Sequence, residues 1–156
     1  MIPHRSRVVV DGDACPVKAE IARTVRACGA VALMVSSHDH RLVPEPGVEV
    51  VTVDAGDQST DLYIANALRP EDVLVTGDYG LAALGLARGA AVLTPRGKHV
   101  TEDEIDGLLA QRHHSARLRR GGKRTKGPPP FTDEDRVRFQ QKLTFLLRGM
   151  QENQQP

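Results

Sequence analysis

The sequence predicts an α/β fold of three layers, in which a mainly parallel sheet is covered by helices on both faces. Short runs of β-branched and apolar residues alternate along the chain with segments whose apolar residues recur at helical spacing. Strands that alternate with helices form parallel sheets, because each crossover helix lies on a face of the sheet. The 156 residues fit one compact domain with a possible appendage.

The first predicted strand is followed at once by two acids and a helix. The strand covers residues 8–10, all valines, and the helix covers residues 16–28. Pro16 suits the first helical position, because its missing N–H would lack a partner there in any case. Asp11 and Asp13 stand at the carboxyl end of the strand, where ligands bind in open α/β sheets. The structural alternative is that Asp13 caps the helix and Asp11 forms a turn.

The remaining elements continue the same alternation. Apolar runs predict further strands over residues 31–35, 48–53, 73–75 and 91–93. Helical spacing predicts helices over residues 62–68, 79–88 and 101–111, and a polar loop is expected over residues 57–61. Thr101 and Glu104 form a capping box for the third of these helices. Thr132 and Asp135 cap a last helix, which is expected to pack on the same domain.

A basic segment follows residue 111. Residues 112–126 hold seven Lys or Arg and no acid, and glycines and prolines interrupt or flank them. We therefore expect a loop or partly ordered arm over residues 112–131, between an α/β domain of residues 1–111 and a C-terminal helix of residues 132–150. Basic side chains neutralise nucleic-acid phosphates, although a solvated segment without a ligand is the alternative. The candidate nucleic-acid-binding residues are Arg112, Arg117, Arg119, Arg120, Lys123, Arg124 and Lys126.

The composition narrows the function classes. Aromatic residues make up 3% of the chain and Trp is absent, so stacking on many aromatic side chains is not the main binding mode. The two cysteines lack metal-type spacing, and we expect neither a signal peptide nor a membrane-spanning apolar run. A cytoplasmic location without a membrane partner is the expectation, and the sequence leaves the oligomeric state open.

Acids follow three of the predicted strands. Asp11 and Asp13 follow the first strand, Asp57 and Asp61 the third, and Asp78 the fourth. The carboxyl ends of parallel strands share one edge, so these carboxylates are expected to converge and to repel one another. Mg²⁺ or Mn²⁺ relieves such repulsion through oxygen ligands, activates water and stabilises charge on a phosphodiester. Each acid alone is weak evidence, since helix starts also favour aspartate.

Three residues near the first helix are candidates for supporting roles. Glu20 is placed to reach the same edge as a ligand or as a support, or else is solvated or pairs with Lys18 or Arg23. Lys18 is placed to hold a phosphate, or lies on the surface. Cys15 at a helix start would have a stabilised thiolate. No CxxC motif or neighbouring His accompanies Cys15, so a buried supporting residue is the alternative.

Four motifs resemble the YaiI/YqxD family of uncharacterised bacterial proteins: VDGDACPVKAEI, TGDYGLA, TPRG at residues 94–97, and KGPPPFTDEDRVRF. The resemblance covers residues 8–147 and implies a PIN-like fold, akin to metal-dependent nuclease domains of the PIN and NYN type. Its acidic motifs match Asp11, Asp13, Asp61 and Asp78. The family's earlier aspartate in the third-strand motif is Gln58 here, beside Asp57 as a possible substitute.

These observations predict a divalent-metal-dependent nuclease acting on RNA or single-stranded DNA. Asp11, Asp61 and Asp78 would hold Mg²⁺ or Mn²⁺, with Asp13 as a further ligand or base. One alternative is a non-catalytic nucleic-acid-binding or regulatory protein on a degenerate PIN scaffold, which Gln58 favours. Another is a phosphatase resembling the haloacid-dehalogenase type, with Asp11 as nucleophile and Asp13 as acid/base, although a cap domain is not evident.

Overall fold

One mixed sheet forms the centre of the molecule. The computed structural model describes residues 6–37, 42–54, 57–122 and 129–154. In these ranges the chain forms six strands: β1 Arg7–Asp11, β2 Val31–Ser37, β3 Val48–Val53, β4 Asp72–Val75, β5 Ala91–Leu93 and β6 His99–Val100. Their order is β3-β2-β1-β4-β5-β6. All neighbours pair in parallel except β6, which runs antiparallel to β5.

Helices cover both faces of the sheet. The same ranges contain five: α1 Lys18–Cys28, α2 Asp57–Ala67, α3 Tyr79–Ala87, α4 Glu102–Arg120 and α5 Asp133–Gln154. Val8 and Val10 of β1 pack with α1 and α5, whereas Val9 packs with α2, α3 and α4. This alternation confirms the predicted three-layer α/β class and is consistent with a PIN-like arrangement. Within the described ranges, each helix is too short or too polar to cross a membrane.

Two predicted loops are helical. The loop expected over residues 57–61 is wrong, because α2 already begins at Asp57. Asp and Ser suit a first helical turn, where acids interact favourably with the helix dipole. The loop or arm expected from residue 112 is also wrong as far as Arg120, since α4 continues to that residue. Gly and Pro are absent from residues 112–120, and basic residues stabilise the end of a helix.

The C-terminal helix belongs to the α1 side of the core. Its capping box is confirmed: the Asp135 N–H donates to Thr132 Oγ1 at 3.1 Å, and the Thr132 N–H donates to Asp135 Oδ2 at 3.0 Å. Phe139, Leu143 and Leu147 are fully buried in the cluster that includes α1. The predicted division into domain, arm and C-terminal helix stays a prediction, and residues 123–128 of the arm lie outside the described ranges.

Candidate functional site at the carboxyl edge of the sheet

The order of the strands reverses between β1 and β4. The chain passes from β1 to β2 and β3 on one side, and then returns to β4 and β5 on the other. In open α/β sheets, ligands bind in the crevice outside the carboxyl ends of strands at such a switch point. Asp11 ends β1, and Thr76 follows β4 directly beside it, because Val10 pairs with Val75. The Thr76 hydroxyl donates to Asp11 Oδ2 at 3.3 Å.

Asp11 lies in a setting that disfavours its charge. Burial raises the pKa of its carboxyl group, and the negative charges of Asp13 and Asp78 raise it further. Hydrogen bonds from the Thr76 hydroxyl and the Asp13 N–H act in the opposite direction without cancelling this effect. The structure thus brings three of the predicted site residues within electrostatic reach of one another.

Asp78 caps α3 and is fixed by backbone hydrogen bonds. Its Oδ1 accepts from the N–H groups of Gly80 at 2.7 Å and Leu81 at 3.2 Å. Its own N–H donates to Thr76 Oγ1 at 3.0 Å. The predicted helix start at residue 79 is therefore confirmed, and one hydroxyl links the Asp78 backbone to the Asp11 carboxylate.

Asp13 ties the loop after β1 to two other elements. Its Oδ1 accepts from the Ser37 N–H at 2.7 Å, and the Thr60 hydroxyl donates to its Oδ2 at 3.4 Å. The alternative in which Asp13 caps the first helix is wrong, because α1 begins at Lys18 with Val17 as its N-cap. The loop from β1 is thereby held against the end of β2 and the first turn of α2.

The predicted three-aspartate metal set is only partly assembled. Asp61 is half-buried in α2, next to the Thr60 that bonds to Asp13. Asp57 begins the same helix. Across the described part of the chain, no three His, Cys, Asp or Glu side chains are grouped so that they could hold a metal ion. A metal site of Asp11, Asp61 and Asp78 therefore stays a prediction.

The supporting candidates differ in their environments. Burial raises the pKa of the Cys15 thiol to about 11, despite the nearby Val17 N–H and the Lys18 charge, so Cys15 is a thiol at neutral pH. Glu20 is 7% exposed, so the alternative of a solvated residue is wrong. Its Oε1 lies 3.6 Å from Arg23 Nη2, which confirms the alternative of an ion pair with Arg23. Lys18 is half-buried.

A set of contacts that the sequence does not indicate brings the last helix to this edge. Arg96, in the turn after β5, donates to Asp135 Oδ2 at 3.1 Å and to the carbonyl of Pro129. Arg136 Nη1 donates to the carbonyl of Pro16 at 2.6 Å. Three of the motifs that carry the family resemblance therefore meet in space. The three motifs are visible in the sequence, but the number of residues between them does not indicate that they are in contact.

The predicted basic residues are placed only in part. Arg117 and Arg120 are exposed in α4, and Arg112 and Arg119 belong to the same helix. The other three predicted residues lie outside the described ranges. Binding of nucleic acid by these side chains stays a prediction.

The fold and site together define a PIN-like α/β domain with acids gathered at the switch point. Residues 9–149 match the family described as "Uncharacterized BCR, YaiI/YqxD family", and the chain belongs to that family. The UPF0178 protein of Halalkalibacterium halodurans is 47% identical over 140 residues, covering 90% of this chain and 89% of that protein. No solved structure is significantly similar to the chain.

Two further relatives match over nearly their whole length. The UPF0178 protein of Shouchella clausii is 40% identical, covering 94% of this chain and 96% of that protein. That of Enterococcus faecalis is 41% identical, covering 91% of this chain and 97% of that protein. The names of these relatives state no activity, so the comparisons establish the family of the chain and no reaction.

Proposed function

We propose that this protein is a divalent-metal-dependent nuclease that acts on RNA or single-stranded DNA. The observation that supports this most strongly is the half-buried carboxylate of Asp11 at the switch point, beside the acids Asp13 and Asp78. Gathering negative charge in a partly buried place costs free energy unless a cation offsets it. A site that would be relieved by a cation, at the edge where ligands bind, fits metal-assisted phosphodiester hydrolysis.

The carboxylates at this edge fit Mg²⁺ or Mn²⁺ better than a metal ion whose ligands must all come from the protein. Mg²⁺ is usually held by one or two carboxylates together with waters and substrate phosphates. Asp11 and Asp78 would supply those carboxylates, and waters and the substrate phosphate would supply the remaining oxygen ligands. Asp13 would support the loop, since both its carboxylate oxygens already accept hydrogen bonds. When bound, such an ion supplies a more acidic water and stabilises developing charge on the phosphate.

The residues around the acids keep them in position before any substrate arrives. The Thr76 hydroxyl orients the Asp11 carboxylate and accepts from the Asp78 N–H. The first N–H groups of α3 hold one oxygen of Asp78. Lys18 and the basic residues of α4 would attract the phosphates of the substrate. In this proposal, fixed backbone N–H groups and one hydroxyl group orient Asp11 and Asp78.

Cleavage of an end-labelled single-stranded RNA, with Mn²⁺ or with EDTA, tests the proposal. We expect Asp11→Asn and Asp78→Asn to lower the rate by about 100-fold, the usual size of a lost electrostatic group. Asn is as good an N-cap as Asp, so Asp78→Asn removes the charge and keeps the helix start. The matched control is Asp106→Asn, whose side chain is exposed in α4. Undiminished cleavage by Asp78→Asn, or cleavage in EDTA, would contradict the proposal.

A non-catalytic nucleic-acid-binding protein is the second candidate. It is favoured by the lack of a three-ligand group among the described residues and by Gln58 in place of an aspartate. RNA binding that is equal in Mn²⁺ and EDTA, without cleavage, would support it. The phosphatase alternative requires Asp13 as acid/base, and the bonds from Ser37 and Thr60 oppose that role.

A further inference from the structure

Four arginines lie in a connected cluster on the side of the sheet that α1 and α5 cover. The proposed metal site uses none of them. They come from three distant segments, namely α1, the turn between β5 and β6, and α5, and their guanidiniums share two buried carboxylates and one aromatic ring. We call them the arginine cluster: Arg23, Arg96, Arg136 and Arg138.

Glu20 is the first shared carboxylate. Its Oε1 lies 3.6 Å from Arg23 Nη2 and 3.5 Å from Arg136 Nη1. Its Oε2 is buried without a hydrogen-bond partner. Arg136 also lies 3.8 Å from Asp133, but that carboxylate is fully exposed, and water screens the pair. One buried carboxylate therefore offsets two guanidiniums incompletely.

Asp135 is the second shared carboxylate. Its oxygens accept from Arg96 Nη1 at 3.1 Å and from Arg138 Nη1 at 2.9 Å. Hydrogen bonds, first of all from the Thr132 N–H, lower the pKa of Asp135, so it stays ionised. The side chain of Arg138 is 56% exposed, and that of Arg23 is 55% exposed. Both of these cations therefore present their charge to water.

The ring of Phe131 joins the two halves of the cluster. Its centroid lies 5.0 Å from the guanidinium carbon of Arg136 and 5.6 Å from that of Arg96, within cation–π range. The ring is half-buried and already contacts two guanidiniums. Because these contacts cover the ring, it is not available for stacking on a base. A ligand that binds the guanidiniums is therefore favoured over a ligand that stacks on the ring.

The cluster adjoins the carboxyl edge of the sheet. Arg136 donates to the carbonyl of Pro16, which stands in the loop between β1 and α1. Arg96 follows β5 in the turn closed by the hydrogen bond from the Thr94 N–H to the Lys98 carbonyl, 2.9 Å long. A chain bound along the cluster would therefore pass next to the loop that directly follows Asp11.

We propose that the arginine cluster binds the phosphodiester backbone of single-stranded nucleic acid. The inference rests on the proposed function and names the surface along which that substrate lies. Four guanidiniums share two buried carboxylates and one exposed one, which leaves a surplus of positive charge. The planar guanidinium matches phosphate oxygens in geometry and is weakly hydrated. Such binding is independent of sequence and falls steeply with salt.

The test is the anisotropy of a labelled single-stranded RNA, measured in EDTA at several salt concentrations. Arg23→Gln and Arg138→Gln each remove one exposed charge and leave the shared carboxylate with its other arginine, so the fold is kept. We expect each variant to reduce the slope of log affinity against log salt by roughly 0.7, the value for one phosphate contact on a single strand. Thermal unfolding of each variant checks that the fold is unchanged.

Arg26→Gln is the matched control. Like Arg23→Gln, it removes one positive charge from α1. However, Arg26 lies in the last turn of α1 and pairs with Glu45 at 2.8 Å, outside the arginine cluster. A reduced slope in the two cluster variants and an unchanged slope in Arg26→Gln supports the proposal. Equal slopes in all three variants, or a wild type that does not bind RNA, overturn it.

The proposal and the nuclease assignment can fail separately. Cleavage by the wild type, together with unchanged slopes in both cluster variants, would keep the nuclease and reject the arginine cluster as its binding surface. Reduced slopes in those variants, without cleavage by the wild type, would keep the surface and reject the nuclease.

Discussion

The two ends of the β1–β4 strand pair hold aspartates in opposite electrostatic settings. At the amino end, Asp72 is 2% exposed and accepts from Arg7 Nε at 3.1 Å and Nη2 at 2.6 Å. At the carboxyl end, burial raises the pKa of Asp11, and the nearby charges of Asp13 and Asp78 raise it further. Between these two ends, both strands consist of buried apolar residues, which are all valines except for one leucine in β4. The amino end therefore holds an ion pair that stabilises the fold, whereas the carboxyl end gathers negative charge, which suits the binding of a cation.

Loss of the cation at the amino end should have the largest effect on stability. We expect Arg7→Met to lower the free energy of unfolding by about 3–5 kcal/mol, because it leaves Asp72 buried without its cation. The control is Arg26→Met, whose exposed pair with Glu45 should contribute about 1 kcal/mol or less. Urea denaturation measures both. Equal losses in the two variants would show that the amino end is not a special structural contact.

Loss of the charge at the carboxyl end should have a smaller effect of the opposite sign. The pKa of Asp11 is raised in the folded protein, so folded Asp11 holds its proton more tightly than the unfolded chain does. Stability then falls as the pH rises from the ordinary carboxyl range through the raised pKa. We expect Asp11→Asn to lack this decline and to be at least as stable as the wild type at pH 7.

Asp135→Asn provides the opposite case for the same experiment. The pKa of Asp135 is lowered, so its contribution is present above the ordinary carboxyl pKa and is lost as the pH falls through the lowered value. The free energy of unfolding of both variants and of the wild type, measured between pH 3 and pH 8, would show the two opposite pH dependences. A loss of stability in Asp11→Asn at pH 7 would contradict the contrast between the two ends of the strand pair.

Local chemistry explains how much of the fold was predictable. Residues 48–53 and 91–93 were predicted as strands and are strands, because β-branched apolar runs fit a buried sheet. The caps at Asp78 and Thr132 were equally visible, since a cap depends on residues two or three positions apart. The loop or arm predicted over residues 112–120 is wrong, because the glycines and prolines that suggested it lie beyond residue 120, and helix propensity decides the structure before them.

The contacts that organise the site were not predictable in this way. Arg96 meets Asp135 across 39 positions of the sequence, and Arg136 meets Pro16 across 120. Asp13 meets Ser37 across 24 positions. Helix and strand periods describe only neighbours along the chain, so no spacing indicates which distant side chains will share a carboxylate. Acids at strand ends were still found, because parallel strands bring their carboxyl ends to one edge.

Calorimetric titration with Mn²⁺ tests the central claim most directly. We predict that the wild type binds the ion and that Asp11→Asn binds it at least about tenfold more weakly, since a charged ligand is lost. The control Asp106→Asn, on the exposed face of α4, should bind as the wild type does. A wild type that does not bind Mn²⁺, or an Asp11→Asn variant that binds it unchanged, would contradict a cation site at the carboxyl edge.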